Sequence, residues 1–332
     1  MAPLIVGLSG TRLSAREADY LGSVRPLGLI LFARNIETAA QVSALVTDAV
    51  AASGADLVFV DQEGGRVQRV RPPLAPRYPA AAVIGALYGR DAAQGLRAAW
   101  LAGRLIASDL LPLGLNAPCL PVADVPVPGA HDIIGDRAWG TTPEAVAALA
   151  GAAAEGVLAA GALPVVKHIP GHGRAGVDSH VSLPRVDAPR AALETDFAPF
   201  RALSHLPMAM TAHVLYTSLD PALPATLSPA VIGLIRDDIG FDGLLMTDDI
   251  SMGAMGGSIA DNARAALAAG CDCVLHCNGR MDEMERIAEA LPEMSPDAAR
   301  RLGRVKTARR QPPEDDTAAL RREFGALLGA AA

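Results

Sequence analysis

The residues best suited to chemistry gather in four stretches of the chain. The densest is 163–180, Leu-Pro-Val-Val-Lys-His-Ile-Pro-Gly-His-Gly-Arg-Ala-Gly-Val-Asp-Ser-His. It begins as a short apolar run, Leu163 to Val166, of the kind a buried strand needs. Lys167 and His168 follow at once, then a Pro-Gly-His-Gly turn, then Asp178 and His180. Three of the seven histidines lie here, and Lys167 is one of only two lysines in a chain that otherwise uses Arg as its cation. A lysine kept at the end of a buried strand, ahead of a loop so rich in titratable groups, marks a candidate site rather than a solvated turn.

The second stretch is Asp61-Gln-Glu-Gly-Gly-Arg-Val-Gln-Arg69, where two glycines bring the backbone close to something, with carboxylates before and arginines after. The third, Gly135-Asp-Arg137-Ala-Trp139-Gly140, sets an Arg beside an aromatic. The fourth is an apolar strand that ends in Asp248-Asp249. Neighbours on a strand point to opposite sides, so one carboxylate can face a site while the other is held by its surroundings. A strand-end carboxylate near cations is ionised and can act as a nucleophile. Helix capping would account for Asp249 and leave Asp248 unexplained.

Two chemistries fit these parts. One is metal-assisted hydrolysis, with His168, His172, His180, His213 and Asp248 as ligands. The other is metal-free hydrolysis of a glycoside, with one carboxylate as nucleophile and a separate acid/base. Lys167 weakens the first, because an ammonium beside a dication repels it. The histidine spacings, four and then eight, also do not match H-E-x-x-H on a helix.

Positioning such residues requires strands that end near one another. Apolar runs recur at Leu4–Leu8, Leu27–Phe32, Asp56–Val60, Leu113–Val122, Leu163–Val166, Met208–Thr211, Gly243–Met246 and Cys271–Leu275. Helical patterns fill the gaps: a possible capping box at Thr38 and Gln41, N-cap and first-turn proline pairs at Thr142-Pro143 and Ser228-Pro229, and an Ala-rich pattern over 91–110. Runs without period-2 alternation suit parallel strands buried on both faces. Eight alternations predict a (β/α)8 TIM-type barrel, whose site lies at the C-terminal strand ends. The unusual polar residues fall there, at Asp61, Asp124, Lys167-His168, His213, Asp248-Asp249 and Asn278. A dinucleotide-binding fold would want an early G-x-G-x-x-G, which Gly7-Leu-Ser-Gly10 does not supply. With no repeat and no linker in view, residues 1–332 read as one domain: barrel to about 280, then helices over 281–332 packed on it.

Composition narrows the partners. The net charge of −7 argues against nucleic acid, which needs a basic footprint. No apolar run reaches the roughly 20 residues of a membrane span. The N-terminus reads as a first strand rather than a signal peptide, and the clustered Cys271, Cys273 and Cys277 read as small buried hydrophobes sharing a strand face, in a reducing compartment.

Taken together, Asp61–Arg69, Lys167-His-Ile-Pro-Gly-His-Gly173, Asp178-Ser-His180, Thr247-Asp-Asp-Ile-Ser-Met252 and Gly270–Asn278 resemble the bacterial β-N-acetylglucosaminidases of glycoside hydrolase family 3, in their single-domain form. The resemblance spans about residues 5–280. It implies that Asp248 is a nucleophile forming a covalent glycosyl-enzyme. It also implies that Asp178 and His180 form a dyad with His180 as acid/base, and that Asp61, Arg69, Arg137, Lys167 and His168 bind the sugar hydroxyls. Asp178 would orient the ring of His180, and an imidazole, titrating near neutral pH, can give and then take a proton. The implied enzyme needs no metal or organic cofactor. It removes N-acetylglucosamine from 1,6-anhydro-muropeptides in cytoplasmic peptidoglycan recycling, as a monomer or weak homo-oligomer. Ile169, Arg174 and Ala138-Trp139 depart from the family pattern, and Arg174 adds a cation near the expected acid/base. Two alternatives remain: a phosphorylase using phosphate in place of water, and a non-catalytic sugar-binding protein.

Overall fold

The computed structural model of the chain describes residues 1–176, 183–252, 255–311 and 316–329. All eight apolar runs form strands of one parallel sheet: β1 (Ala2–Gly7), β2 (Pro26–Leu31), β3 (Leu57–Val60), β4 (Ala117–Pro118), β5 (Val165–Ile169), β6 (Met208–Thr211), β7 (Leu244–Asp249) and β8 (Cys273–His276). Their order around the sheet is β4-β3-β2-β1-β8-β7-β6-β5. The ring closes between the two ends. Val122 bridges Lys167 in parallel, and Val165 and Lys167 donate their N–H groups to Leu120 and Pro121 at 2.9 and 3.0 Å. The fourth run shrinks to a two-residue strand because Pro118 and Pro121 have no N–H to give to a ladder.

Strands alternate with helices as the pattern predicts. The helices are α1 (Ala15–Val24), α2 (Ala39–Ser53), α3 (Ala81–Arg90), α4 (Ala92–Leu110), α5 (Pro143–Ala159), α6 (Arg190–Ala202), α7 (Pro229–Asp237), α8 (Ile259–Ala269), α9 (Met281–Ala290), α10 (Pro296–Ala308) and α11 (Thr317–Gly329). Thr142 and Ser228 cap α5 and α7, each with proline in the first turn. Thr38 caps α2, but the capping box is only half made: the Gln41 side chain takes the N–H of Glu37 instead.

Each strand is apolar on both sides because each side is buried differently. Ile5, Ile30, Phe59, Met210, Met246 and Leu275 fill the barrel, while Leu4, Val6, Leu29, Leu31, Val58 and Val60 pack outward against helices. The cysteines divide between these layers. Cys119 and Cys273 lie inside the barrel, whereas Cys271 precedes β8 and packs in the outer layer, so the expected shared face of Cys271 and Cys273 does not form. All four cysteines are free thiols.

The end of the barrel opposite the strand C-termini is closed by α10. Leu302 and Val305 join the interior cluster. Arg300 and Arg301 hold the helix to Asp242, and Arg301 also reaches buried Asp272 at 2.9 Å. Removing that apolar plug leaves a cavity the ring cannot collapse into. Leu302→Ala is therefore expected to lower unfolding free energy by about 2–4 kcal/mol. Denaturant unfolding measures it, and activity at ambient temperature should be nearly unchanged because the plug lies at the far end from the strand C-termini.

Candidate active site

A pocket of about 320 Å³ opens at the C-terminal ends of the strands, a size that fits a small ligand. One side is built from charges. Asp61 leaves β3, and a short antiparallel hairpin follows, Gln62–Gly64 paired with Val67–Gln68. The two glycines turn it with positive φ, +99° at Gly64 and +56° at Gly65. A Cβ on Gly64 would meet the Pro79 carbonyl oxygen at 2.4 Å, so what the glycines approach is the chain's own segment and not a ligand. Buried Gln62 locks the return: its side-chain oxygen accepts from the N–H of Arg69 and Val70 at 2.9 and 3.0 Å. Arg69 is thereby aimed back at Asp61, 2.9 Å away.

Lys167, from β5, is 2% exposed. Its ammonium lies 3.0 Å from Asp61 and 2.6 Å from Glu63. Arg137 closes the row with a bidentate pair to Glu63, both contacts at 2.8 Å. The sequence Arg69–Asp61–Lys167–Glu63–Arg137 alternates in sign across β3, its hairpin, β5 and the segment ahead of α5. Burial acts to raise the Glu63 carboxyl, but Arg137 and Lys167 outweigh it and hold it down at about 2. Asp61 is depressed in the same way by Lys167 and Arg69. Burial acts to lower the Lys167 ammonium, and the two carboxylates push it well above its ordinary value. Asp61, Glu63 and Lys167 are therefore charged across the physiological range, and the row presents fixed donors and acceptors of the kind that hydroxyl-rich ligands require.

His168 is oriented from behind. Its Nδ1 lies 2.7 Å from Oδ2 of the fully buried Asp124, whose other oxygen accepts from the N–H of His172 at 2.7 Å. A proton held on Nδ1 by the carboxylate leaves Nε2 as an acceptor. His172 packs edge-on against His168, and burial with that neighbour pushes its imidazole down to about 4, so it is neutral at pH 7.

Asp248 and Asp249 end β7. Asp248 lines the pocket, and its Oδ1 accepts from the N–H of Asp249 at 2.8 Å. Burial acts to raise its carboxyl; His213, His168, that N–H and Lys167 together bring it below the ordinary value, so it is ionised. The Asp249 carboxylate accepts from Ser251 and from the N–H of Cys277. Asp249 lines the same pocket, so the two neighbours do not divide between mouth and surroundings as alternation along a strand would have them; they differ in that the Asp249 carboxylate is tied to Ser251 and Cys277. Phe32, Ile133, Ile134 and Met252 supply apolar surface to the same pocket, with the Arg69 guanidinium 5.7 Å over the Phe32 ring.

The structure brings Asp61, Arg69, Arg137, Lys167, His168 and Asp248 around this one pocket. Asp178 and His180 lie outside the described residues. Arg174 is turned toward α6, where its Nε meets buried Asp196 at 2.6 Å and its Nη2 donates to the Ala192 carbonyl at 2.9 Å. Its guanidinium thus ties the segment after β5 to α6. Among the described residues no three His, Cys, Asp or Glu side chains form a group able to hold a metal ion. His213, one of the metal-ligand candidates, uses both ring nitrogens elsewhere, on Thr226 and the Asp249 carbonyl. Glu63 and Asp124 were not among the expected binding residues. Asp124 is visible in sequence as a strand-end carboxylate, but nothing in spacing ties it to a histidine 44 residues on.

Comparison with known proteins places these features in a family. The model of the Glycosyl hydrolase family 3 N terminal domain matches residues 8–307. A Beta-hexosaminidase of Alkalilimnicola ehrlichii is 44% identical over 313 residues, covering 92% of this chain and 88% of that protein. One from Thioalkalivibrio sulfidiphilus is 41% identical, covering 92% and 89%. The crystal structure of NagZ from Neisseria gonorrhoeae in complex with N-trifluoroacetyl-D-glucosamine superposes with a TM-score of 0.88 at 32% identity, over 100% of this chain and 98% of that one.

Removing the buried cation leaves two buried carboxylates uncompensated. Lys167→Met is expected to cost about 3–5 kcal/mol of stability at pH 7. Because the Glu63 carboxyl is depressed in the folded state, the stabilisation is complete above the unfolded carboxylate value and is lost as pH falls through about 2. The gap between wild type and variant should therefore narrow as pH is lowered below about 4.5 in denaturant titrations; a constant gap would contradict the charge argument.

Proposed function

The chain belongs to glycosyl hydrolase family 3, and from that premise we infer that this β-N-acetylhexosaminidase works as a retaining exo-β-N-acetylglucosaminidase through a covalent intermediate. The observation that carries the reading is the ionised, half-buried Asp248 on the wall of a pocket whose other side is the row of charges around Lys167. Asp61, Arg69, Arg137, Lys167 and His168 then bind the hydroxyls of a terminal N-acetylglucosamine. Arg69 and Arg137 donate, Asp61 accepts, and the free Nε2 of His168 accepts one hydroxyl proton.

In the first step an Asp248 oxygen bonds to the anomeric carbon as the glycosidic C–O bond breaks, and His180 gives its proton to the departing oxygen. In the second step water attacks the same carbon, passes a proton to His180 and releases Asp248. Two inversions retain the β configuration. Asp178, two residues from His180, orients the imidazole. The whole chain acts as one catalytic domain, and no metal enters either step.

The substrate class we propose is a 1,6-anhydro-muropeptide of cytoplasmic cell-wall recycling, with or without its peptide. The family supports it, and the compact pocket supports exo cleavage of one sugar at a time.

Hydrolysis of aryl β-N-acetylglucosaminide beside aryl β-glucoside, in EDTA and with and without phosphate, tests the reading. Cleavage of the first substrate alone, releasing free N-acetylglucosamine under all conditions, is expected. A sugar phosphate as main product would make it a phosphorylase, and a requirement for metal would overturn the metal-free mechanism. Asp248→Ala should lose roughly a thousandfold or more in kcat. His180→Ala should lose much more activity on a poor leaving group than on an activated aryl glycoside; equal losses would remove its acid role.

A further inference from the structure

Behind Asp248, away from the pocket, lies a line of polar groups for which the reaction as written has no use. Thr211 ends β6, His213 follows it, and Thr226 sits in the short helical turn Ala225–Leu227 ahead of α7. All three are 0% exposed. Polar side chains at that depth carry a penalty unless each finds a partner. Here the partners form a single chain of contacts that ends on both sides of the Asp248–Asp249 peptide.

The direction of the chain follows from the donors available. Nε2 of His213 lies 3.0 Å from the carbonyl oxygen of Asp249, which can only accept, so this nitrogen carries a proton. Burial lowers the imidazole below its ordinary value and keeps it neutral, which leaves Nδ1 as an acceptor. The Thr226 hydroxyl, 2.7 Å away, donates to it in preference to the Ala212 carbonyl at 3.2 Å. Thr226 in turn accepts from Thr211 at 2.8 Å, and Thr211 accepts from the Asp248 N–H at 3.4 Å.

We propose that Thr226 and His213 are positioning residues for the nucleophile. The hydroxyl of Thr226 fixes the tautomer of His213, the ring clamps the Asp249 carbonyl, and with that end of Asp249 fixed the N–H at its other end stays on Oδ1 of Asp248 at 2.8 Å. With Oδ1 held in this way, Oδ2 is left to attack in one orientation. The side chain of Asp249 is fixed separately by Ser251 and Cys277, and its carbonyl accepts from the Met252 N–H at 3.1 Å on one side and from His213 Nε2 at 3.0 Å on the other, so His213 is the side chain that holds that carbonyl. None of Thr211, His213 and Thr226 lines the pocket, so the contribution is to the geometry of attack and not to binding. The inference rests on the reading of Asp248 as nucleophile.

Thr226→Val keeps the shape and deletes the hydroxyl, leaving Nδ1 of His213 without a donor and freeing the ring to move its proton off Nε2. A misaligned attacking group costs on the order of a hundredfold, so kcat should fall roughly tenfold to a hundredfold. The Kd for N-acetylglucosamine, measured by calorimetry, should stay within about twofold, because the residues proposed to bind the sugar hydroxyls are untouched. Thr226→Ser, which restores the hydroxyl, should recover kcat to within about threefold of wild type. A second pair reads the same contact from the ring: His213→Gln, which keeps a donor for the carbonyl, should outperform His213→Leu. Equal kcat for Thr226→Val and Thr226→Ser, or a Kd that weakens in step with kcat, would overturn the proposal. Asp248→Ala in the same series separates the two readings. If it stays active, the nucleophile assignment falls and the positioning role falls with it; if it is inactive while Thr226→Val is normal, the positioning role alone falls.

Discussion

A buried ammonium sets the terms for the rest of this molecule. Lys167 at 2% exposure is stable only where anions surround it, and the carboxylates that do so, Asp61 and Glu63, are stable at that depth only where further cations compensate them. Arg69 and Arg137 meet that need. The demand therefore spreads from one side chain on β5 to the end of β3, the hairpin beyond it and the segment before α5. Elements far apart in the chain are held at one distance by a row of charges, and the pocket wall they form is rigid because moving any member exposes its neighbour as an uncompensated charge.

The barrel makes that row possible by solving a different problem. Both faces of every strand are apolar, and the ring with its layer of helices buries them all. Polar residues are left a place only at the ends. At one end α10 seals the interior with Leu302 and Val305 and is tied down by arginines on Asp242 and Asp272. At the other the strands release Asp61, Asp124, Lys167, His168, Asp248 and Asp249 into a common space. Stability and chemistry are thus assigned to opposite mouths of one core.

Protonation is set by burial and by close neighbours in and behind the pocket. Asp124 fixes which nitrogen of His168 faces inward. Burial keeps His172 and His213 neutral while Asp248 is ionised. An ionised carboxylate and a ring nitrogen facing inward are thus set within one site, the first by His213 behind it together with His168 and Lys167 beside it, the second by Asp124.

Much of this was legible along the chain. Eight apolar runs without period-2 alternation specify strands buried on both faces, and polar residues directly after them specify the mouth of a barrel; both follow from local periodicity, which sequence carries in full. The motifs around Asp61, Lys167 and Asp248 were equally visible, because each lies within a few residues of a strand end. Partnerships were not. That Glu63 bridges Lys167 and Arg137, that Asp124 orients His168, and that Arg174 is turned toward Asp196 and away from the pocket depend on which strand ends meet around the ring, and no spacing encodes that. The sequence by itself determined which side chains stand at the mouth of the barrel; only the tertiary structure decided which of them touch, because contacts between residues tens of positions apart exist only once the ring has closed.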